Sequence, residues 1–429
     1  MNRQRAFAGS LLVQAGLGSI LSWAMLFTRL HDTASRHFPY SNCEAVLTSG
    51  LLAFAAAVLA SGILAEKIGP RQLAASSALL AAAGFALGAF VDLASVIEAA
   101  AVSSVLGAAA GIVYVTTIAT AMRWYPEKKG IVVGAILSGS AFAGLCWFRL
   151  GEQLLRWFDV QGTFVAIGAG AALLILGGGW SLTNPPAGYV PPVWRRPETQ
   201  AAGLRESGFD FGEMLRRPSF YLICAAMVLL SSSAIAYSAN IQFMSSVLIS
   251  RGLEQQLAER VTLLAALIFA ISDGMGRIAW GALSDSIGFW LSLFALCALE
   301  VIVIALVWRA GGNGSVLIFG AFALGTAFGG LMALFPCLVS ECLGEERFTG
   351  TYSLVFAVFV LFSVGMVHGS DSLRSVVSSS AWLDVMLFSA ALPLAGAAAL
   401  FIGKRSKGKA SPVDDEIQAE DEVEENSYE

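Results

Sequence analysis

Asp273 and Arg277 stand four residues apart in "SDGMGRIAWGALSDSIG", directly after the uncharged stretch "VTLLAALIFAI" from Val261 to Ile271. Four-residue spacing puts both side chains on one face of a helix, one turn apart. The planar guanidinium of an arginine holds a carboxylate by two parallel hydrogen bonds. A charge at mid-membrane costs roughly 2.5–3.5 kcal/mol on insertion scales, so such residues usually face a cavity and serve transport. Two plainer readings stand beside that one: an arginine reaching to the membrane surface, and an ion pair that only locks helices. Glu300, in "LCALEVIVIAL", is a second isolated charge in an apolar run, either protonated or paired with a polar group elsewhere. Gln14, Asn240 and Gln242 are polar groups whose spacing assigns them no role.

The elements that must position these groups are membrane helices. Hydrophobic residues make up 56% of the 429 residues and charged residues 13%, against roughly 25% charged in soluble domains. Apolar stretches of about 20 residues, enough to cross a hydrocarbon core of roughly 30 Å, recur along the chain. They do not alternate with period two, which excludes a β-barrel. The pattern predicts an all-α polytopic membrane protein with twelve transmembrane helices, the first over 6–30 and the last over 381–403. Gly, Ala and Ser are frequent inside them, which lets membrane helices pack closely. "GIVVGAILSGSAFAG", with Gly130, Gly134, Gly139 and Gly144, reads as such a packing face.

Orientation follows from Lys and Arg. One side collects Arg3, Arg5, Lys67, Arg71, Arg123, Lys128, Lys129, Arg195, Arg196, Arg205, Arg216, Arg217, Arg347 and the basic start of the tail. The positive-inside rule makes that side cytoplasmic, with both termini on it, and implies a multi-pass protein of the plasma (inner) membrane. The first helix is too long for the core of a cleaved signal peptide. Residues 404–429 account for the whole formal charge of −5, and "SPVDDEIQAEDEVEENSYE" is expected to be a disordered acidic tail. Its neck, "KRSKGK", suits an anionic lipid surface.

Several chemistries are excluded. The six cysteines are scattered and the three histidines form no cluster, so neither a metal site nor a nucleophile–base pair is expected. No glycine-rich phosphate loop follows a strand, which argues against ATP-driven work by this chain alone. Bases are too dispersed for nucleic acid. The chain is expected to be no enzyme, to need no cofactor and to have no evident obligate protein partner.

The chain also repeats itself. "GILAEKIGPRQL" begins at Gly62 and "GALSDSIGFWLSL" at Gly281, each after an apolar helix and half a chain apart. Between them, 184–217 is the longest polar stretch. The layout predicts a six-helix half over 1–183, a cytoplasmic linker over 184–217, a second half over 218–403 and the tail over 404–429. Two such halves allow alternating access around a central site.

These residues resemble the major facilitator superfamily, whose loop between the second and third helices reads G-x-L-A-D-R-x-G-R-R. Gly62, Leu64, Ala65, Glu66, Lys67, Gly69 and Arg71 match it, with Glu66 for Asp and Pro70 for a base. The second copy keeps Gly281, Asp285 and Gly288 but has Ser286 and Phe289 where bases are expected. The resemblance gives both copies a role in conformational gating. Within the superfamily the chain is similar to the oxalate:formate antiporter family and the monocarboxylate transporters, in "GIVYVTTIATAMRWYPEKKG", "NPPAGYVPP", "DFGEMLRRPSFYLI" and "ALFPC".

What the resemblance implies is a binding site. An arginine at the position of Arg277 binds the substrate carboxylate in those carriers. The oxalate carriers have Asn at the position of Asp273, whereas the proton-coupled monocarboxylate carriers have Asp there. When a substrate anion takes Arg277, Asp273 loses its partner and binding a proton becomes favourable. Where the oxalate carriers have a lysine in the eleventh helix, this chain has Phe359. Tyr114, Phe328, Met332 and Phe356 occupy positions that line the family's cavity. The expectation is a carrier of a small organic monocarboxylate, with a proton as cosubstrate. Two alternatives stay open: a carboxylate exchanger of the oxalate:formate kind, and a non-transporting sensor signalling through its tail.

Overall fold

The structure, a computed structural model, describes residues 3–21, 40–91, 95–186, 189, 211–241, 243–310, 313–344, 348–376, 384 and 386–407. Among these, twelve long helices follow one another. The first six are α1 (Arg3–Leu21), α2 (Tyr40–Ile68), α3 (Pro70–Phe90), α4 (Val96–Trp124), α5 (Lys129–Trp157) and α6 (Val160–Trp180). The second six are α7 (Pro218–Asn240), α8 (Gln255–Ile287), α9 (Phe289–Arg309), α10 (Gly314–Leu343), α11 (Phe348–Val376) and α12 (Ala391–Lys407). Short helices at Phe211–Arg216 and Met244–Ser250 flank α7. Ten of the described helices are long and apolar enough to cross a membrane, and Met386–Phe401 is a shorter apolar one.

Helix ends follow local chemistry. Asp159 caps α6 by accepting from the Gly162 amide at 2.7 Å, and Asn313 caps α10 by accepting from the Ser315 amide at 2.9 Å. Pro70 and Pro218 open α3 and α7, where a missing amide hydrogen costs nothing. Gly69 (φ 83°) and Gly288 (φ 92°) make the turns α2–α3 and α8–α9 in equivalent places of the two repeats. With ψ at 161° and 149°, both lie in a region essentially reserved for glycine. That is the physical reason for the I-G ending of each repeat.

Several helices outrun the apolar pattern. α8 begins at Gln255 rather than 258, and α2 at Tyr40 rather than 45, because backbone hydrogen bonding continues into polar residues where hydropathy stops. The expected last helix is helical at 386–389 and from Ala391 onwards. The expectations for 22–30, most of the linker and the tail beyond 407 lie outside the described residues.

Packing repeats with a shift of six helices. α2 packs along α4, and α8 packs along α10 in the same way. The two groups of six meet through α5 on α8 and through α2 on α11, pairs related by the same shift. Gly130, Gly134, Gly139 and Gly144 of α5 are packing positions. Gly130 and Gly134 lie against the Gly281 and Arg277 carbonyls of α8, while Gly139 meets Leu11 and Gly144 meets Gly18 of α1. One apolar core fills the first group around Phe85, Leu106 and Ile167, and another joins Val133 and Leu137 to Leu331, Phe335 and Phe356.

Candidate functional site

α8 carries the charged centre where the two groups of helices meet. Arg277 donates from Nε to Asp273 Oδ1 at 3.1 Å and from Nη2 to Oδ2 at 2.7 Å, a two-bonded fork closed within one helix. The two side chains are 12% and 14% exposed. The other terminal nitrogen, Nη1, crosses to α5 and donates to the Leu137 carbonyl at 2.8 Å. One turn away, Ser138 Oγ donates to the Gly274 carbonyl at 2.7 Å. Arg277 is thus held inward between helices and does not reach out along α8, which removes the membrane-surface reading.

Aromatic rings build the wall opposite. Tyr114 of α4 stacks on Phe356 of α11 with centroids 5.0 Å apart and planes 13° off parallel. Phe356 stacks in turn on Tyr352 at 5.4 Å, and Tyr352 on Phe348 at 5.3 Å. Phe359 packs between Phe356 and Phe335, at 5.7 Å from each. Phe328 leans on Phe269 of α8 at 6.2 Å, and Met332 is buried one turn further along α10. Pro336, inside α10, withdraws the amide that would otherwise bond to the Met332 carbonyl. The sequence-predicted residues therefore fall into one zone, although Phe356, Phe359 and Met332 are close-packed there.

Tyr352 is the residue that sequence reasoning missed. It is fully buried, and its hydroxyl has no hydrogen-bond partner among the described residues. It lies within electrostatic reach of Arg277 and Tyr114. An unpaired buried hydroxyl costs about 1–3 kcal/mol, so its place beside the charged centre calls for a polar group. The only signal in the sequence is the spacing of Phe348, Tyr352, Phe356 and Phe359, one helical stripe. Such a stripe more often means packing.

Gln14 and Asn240, polar candidates without an assigned role, each make one side-chain bond and leave the side-chain oxygen unpaired among the described residues. Gln14 of α1 donates to Thr117 Oγ1 at 2.8 Å, and Asn240 donates back to the Ala236 carbonyl of its own helix at 2.7 Å. Gln242 lies outside the described residues. Glu300 is fully buried on α9 and accepts from Ser233 Oγ at 2.6 Å. The groove between α8 and α10, about 410 Å³, is lined by Ile271, Met275, Phe319 and Phe322, which are largely exposed. It sits on the outer flank, away from the charged centre.

The repeated motifs sit at one end of the bundle. Asp285, in the last turn of α8, accepts from the Gly130 amide at 2.9 Å and the Ile131 amide at 2.8 Å. A carboxylate from one repeat thereby caps the first, unsatisfied amides of α5 in the other. Gly281 touches Gly130 backbone to backbone beside it. In the first repeat Gly62 lies against Ser353 and Gly350 of α11. Lys67 is exposed, and Arg71 stacks its guanidinium 5.9 Å from the Trp180 ring. The side chain of Glu66 lies outside what the structure describes. Arg123 of α4 adds a further tie, donating to Thr349 Oγ1 of α11 at 3.2 Å, and Lys129 donates to Ser340 Oγ of α10 at 3.2 Å. Among the described residues no cluster of His, Cys, Asp and Glu is able to hold a metal ion.

Comparison with known proteins gives this geometry its context. The sequence profile described as Major Facilitator Superfamily matches residues 6–370. The chain is 26% identical over 362 residues to the uncharacterised MFS-type transporter YhjX of Escherichia coli, covering 83% of this chain and 84% of that one. It is 26% identical over 334 residues to the oxalate:formate antiporter of Oxalobacter formigenes, covering 77% and 74%. It is 23% identical over 333 residues to apicoplast pyruvate carrier 1 of Toxoplasma gondii, covering 65% and 60%. Among solved structures, a proton:xylose symporter bound to 6-bromo-6-deoxy-D-glucose superposes with a TM-score of 0.64 at 13% identity, over 94% of each chain. That likeness shows the fold alone. With two groups of six helices meeting at α5–α8 and α2–α11, and with that profile matching most of its length, the chain belongs to the major facilitator superfamily and is a multi-pass membrane transporter.

Proposed function

We propose that this transporter carries a small organic monocarboxylate together with a proton, by alternating access between its two halves. One observation carries the reading: a two-bonded Arg277–Asp273 pair, almost buried, at the α5–α8 contact between the halves. In the empty carrier Asp273 neutralises Arg277. A substrate carboxylate competes for the same fork, and the displaced Asp273 then takes a proton, so that anion and proton load together. Tyr352 and Tyr114 supply hydroxyls near the fork, and Phe356, Phe359, Phe328 and Met332 supply an apolar wall for an uncharged tail. The names of two relatives, an oxalate:formate antiporter and a pyruvate carrier, agree with a carboxylate substrate.

In this reading both termini and the linker at 184–217 lie in the cytoplasm of the plasma membrane, at the end that holds Asp285. The Asp285 cap on α5 and the Gly62 contact with α11 close that end and part when the site opens inwards. The acidic tail at 404–429 is not needed for flux. Exchange of the oxalate:formate kind is the second reading, favoured by that relative's name. Against it stands Phe359, packed between two phenylalanines where a second cation would serve a dianion. Purified protein in proteoliposomes decides between them. Uptake of butyrate driven by an inward proton gradient supports symport, and uptake only against internal oxalate or formate supports exchange. A protein that moves no carboxylate under either condition rules out both.

A further inference from the structure

Glu300 belongs to none of the machinery described above, and its surroundings are unlike those of Asp273. It lies midway along α9, is fully buried, and its Oε2 accepts from Ser233 Oγ of α7 at 2.6 Å. Its other oxygen, Oε1, has no hydrogen-bond partner among the described residues. Ser233 ends a run of three serines. The hydroxyls of Ser231 and Ser232 bond back to carbonyls of their own helix, at 2.7 Å to Met227 and 2.7 Å to Leu229. Ser233 is the one turned to a neighbouring helix.

The groups acting on Glu300 decide its chemistry. From α7 it meets the Ser233 hydroxyl, and on α9 itself the Cys297 thiol lies within electrostatic reach. α8, α10 and α12 also pack on α9, and among the described residues they bring it no charged side chain. An ionised carboxylate here would be a buried charge with one neutral donor and no cation. That is far more costly than a neutral acid whose hydroxyl lacks an acceptor, because only the first carries an uncompensated charge out of water.

We propose that Glu300 and Ser233 form a proton-binding site separate from the Arg277–Asp273 pair, in which a carboxylic acid keeps its proton at neutral pH and ties α9 to α7. The site's ligand is the proton itself, and its role does not depend on the identity of the substrate. Ionisation of Glu300 requires water to reach it, and hence requires α7 and α9 to separate. The acid therefore reports, and resists, that separation.

Infrared spectroscopy of the purified full-length carrier at neutral pH tests this. The wild type should show the carbonyl band of a protonated carboxyl, shifted on exchange into deuterated water. Asp273→Asn should keep that band and Glu300→Gln should lose it. Equal intensity in Glu300→Gln and wild type overturns the proposal, since Glu300 would then be ionised. Glutamine is neutral, of similar size and able to accept from Ser233, so Glu300→Gln should also keep its melting temperature. Should that variant fail to fold, labelling of the wild type with a hydrophobic carbodiimide, mapped by mass spectrometry, decides instead. The reagent adds to protonated carboxyls in apolar surroundings: modification at Glu300 supports the site, and an unmodified Glu300 overturns it.

Discussion

In the proposed cycle, replacing Asp273 by asparagine should separate net uptake from substrate exchange. In the empty carrier the substitution leaves Arg277 without its counter-charge at a position where both side chains are less than one-sixth exposed. Removing one partner of a buried ion pair costs about 3–5 kcal/mol. The amide oxygen of asparagine still accepts one hydrogen bond, and Arg277 keeps its bond to the Leu137 carbonyl, which points to the lower end of that range. If about 3 kcal/mol falls on the barrier to reorientation of the empty carrier, the step slows roughly a hundredfold, at about 1.4 kcal/mol per tenfold. The loaded carrier escapes this penalty because the substrate supplies the negative charge. Net uptake driven by a pH gradient should therefore collapse, while exchange of labelled for unlabelled substrate persists. Both fluxes are measured in one proteoliposome preparation. Wild-type gradient-driven uptake in this variant would refute the reasoning, and so would equal loss of both fluxes at unchanged protein stability.

The other expectations follow from the same geometry. Arg277→Lys keeps the charge but loses the planar fork; carboxylate uptake should fall at least tenfold with expression intact, and wild-type affinity would make Arg277 a structural pair member only. Phe359→Lys should shift preference from mono- to dicarboxylates in competition assays, by placing a second cation beside the site. Tyr352→Phe removes the unpaired hydroxyl, so substrate KM should rise several-fold with the melting temperature unchanged or higher; an unaltered KM removes Tyr352 from the site. Asp285→Ala strips two amides of α5 of their cap, which should lower stability by about 1 kcal/mol, read as a lower melting temperature; an unchanged melting temperature removes the cap as a tie between the helices.

How much of this was legible beforehand differs from residue to residue. The Asp273–Arg277 pair could be read because both ends lie on one helix, where spacing alone fixes proximity. The turns at Gly69 and Gly288 could be read for a similar reason, since a local backbone conformation leaves a local signature. Asp285 stands out as part of a repeat, but its partners, the amides of Gly130 and Ile131, are backbone groups more than 150 residues away. No residue type marks such a donor. Tyr352 carries no such mark, because an aromatic in an apolar helix looks the same whether its hydroxyl is satisfied or orphaned. Glu300 stood out as a charge in an apolar run, yet Ser233 was hidden among three adjacent serines that differ only in which way they face. Hydropathy puts the starts of α2 and α8 a few residues late, because it marks the edge of the apolar solvent and the hydrogen-bond ladder continues beyond it.

In the proposed cycle one carboxylate and one proton load at the same centre. Proton uptake on binding measures it most directly: purified carrier in weak buffer with a pH indicator, titrated with butyrate. Close to one proton should be taken up per carboxylate bound by the wild type, and none by Asp273→Asn at retained binding. Carboxylate binding without proton uptake by the wild type would contradict it.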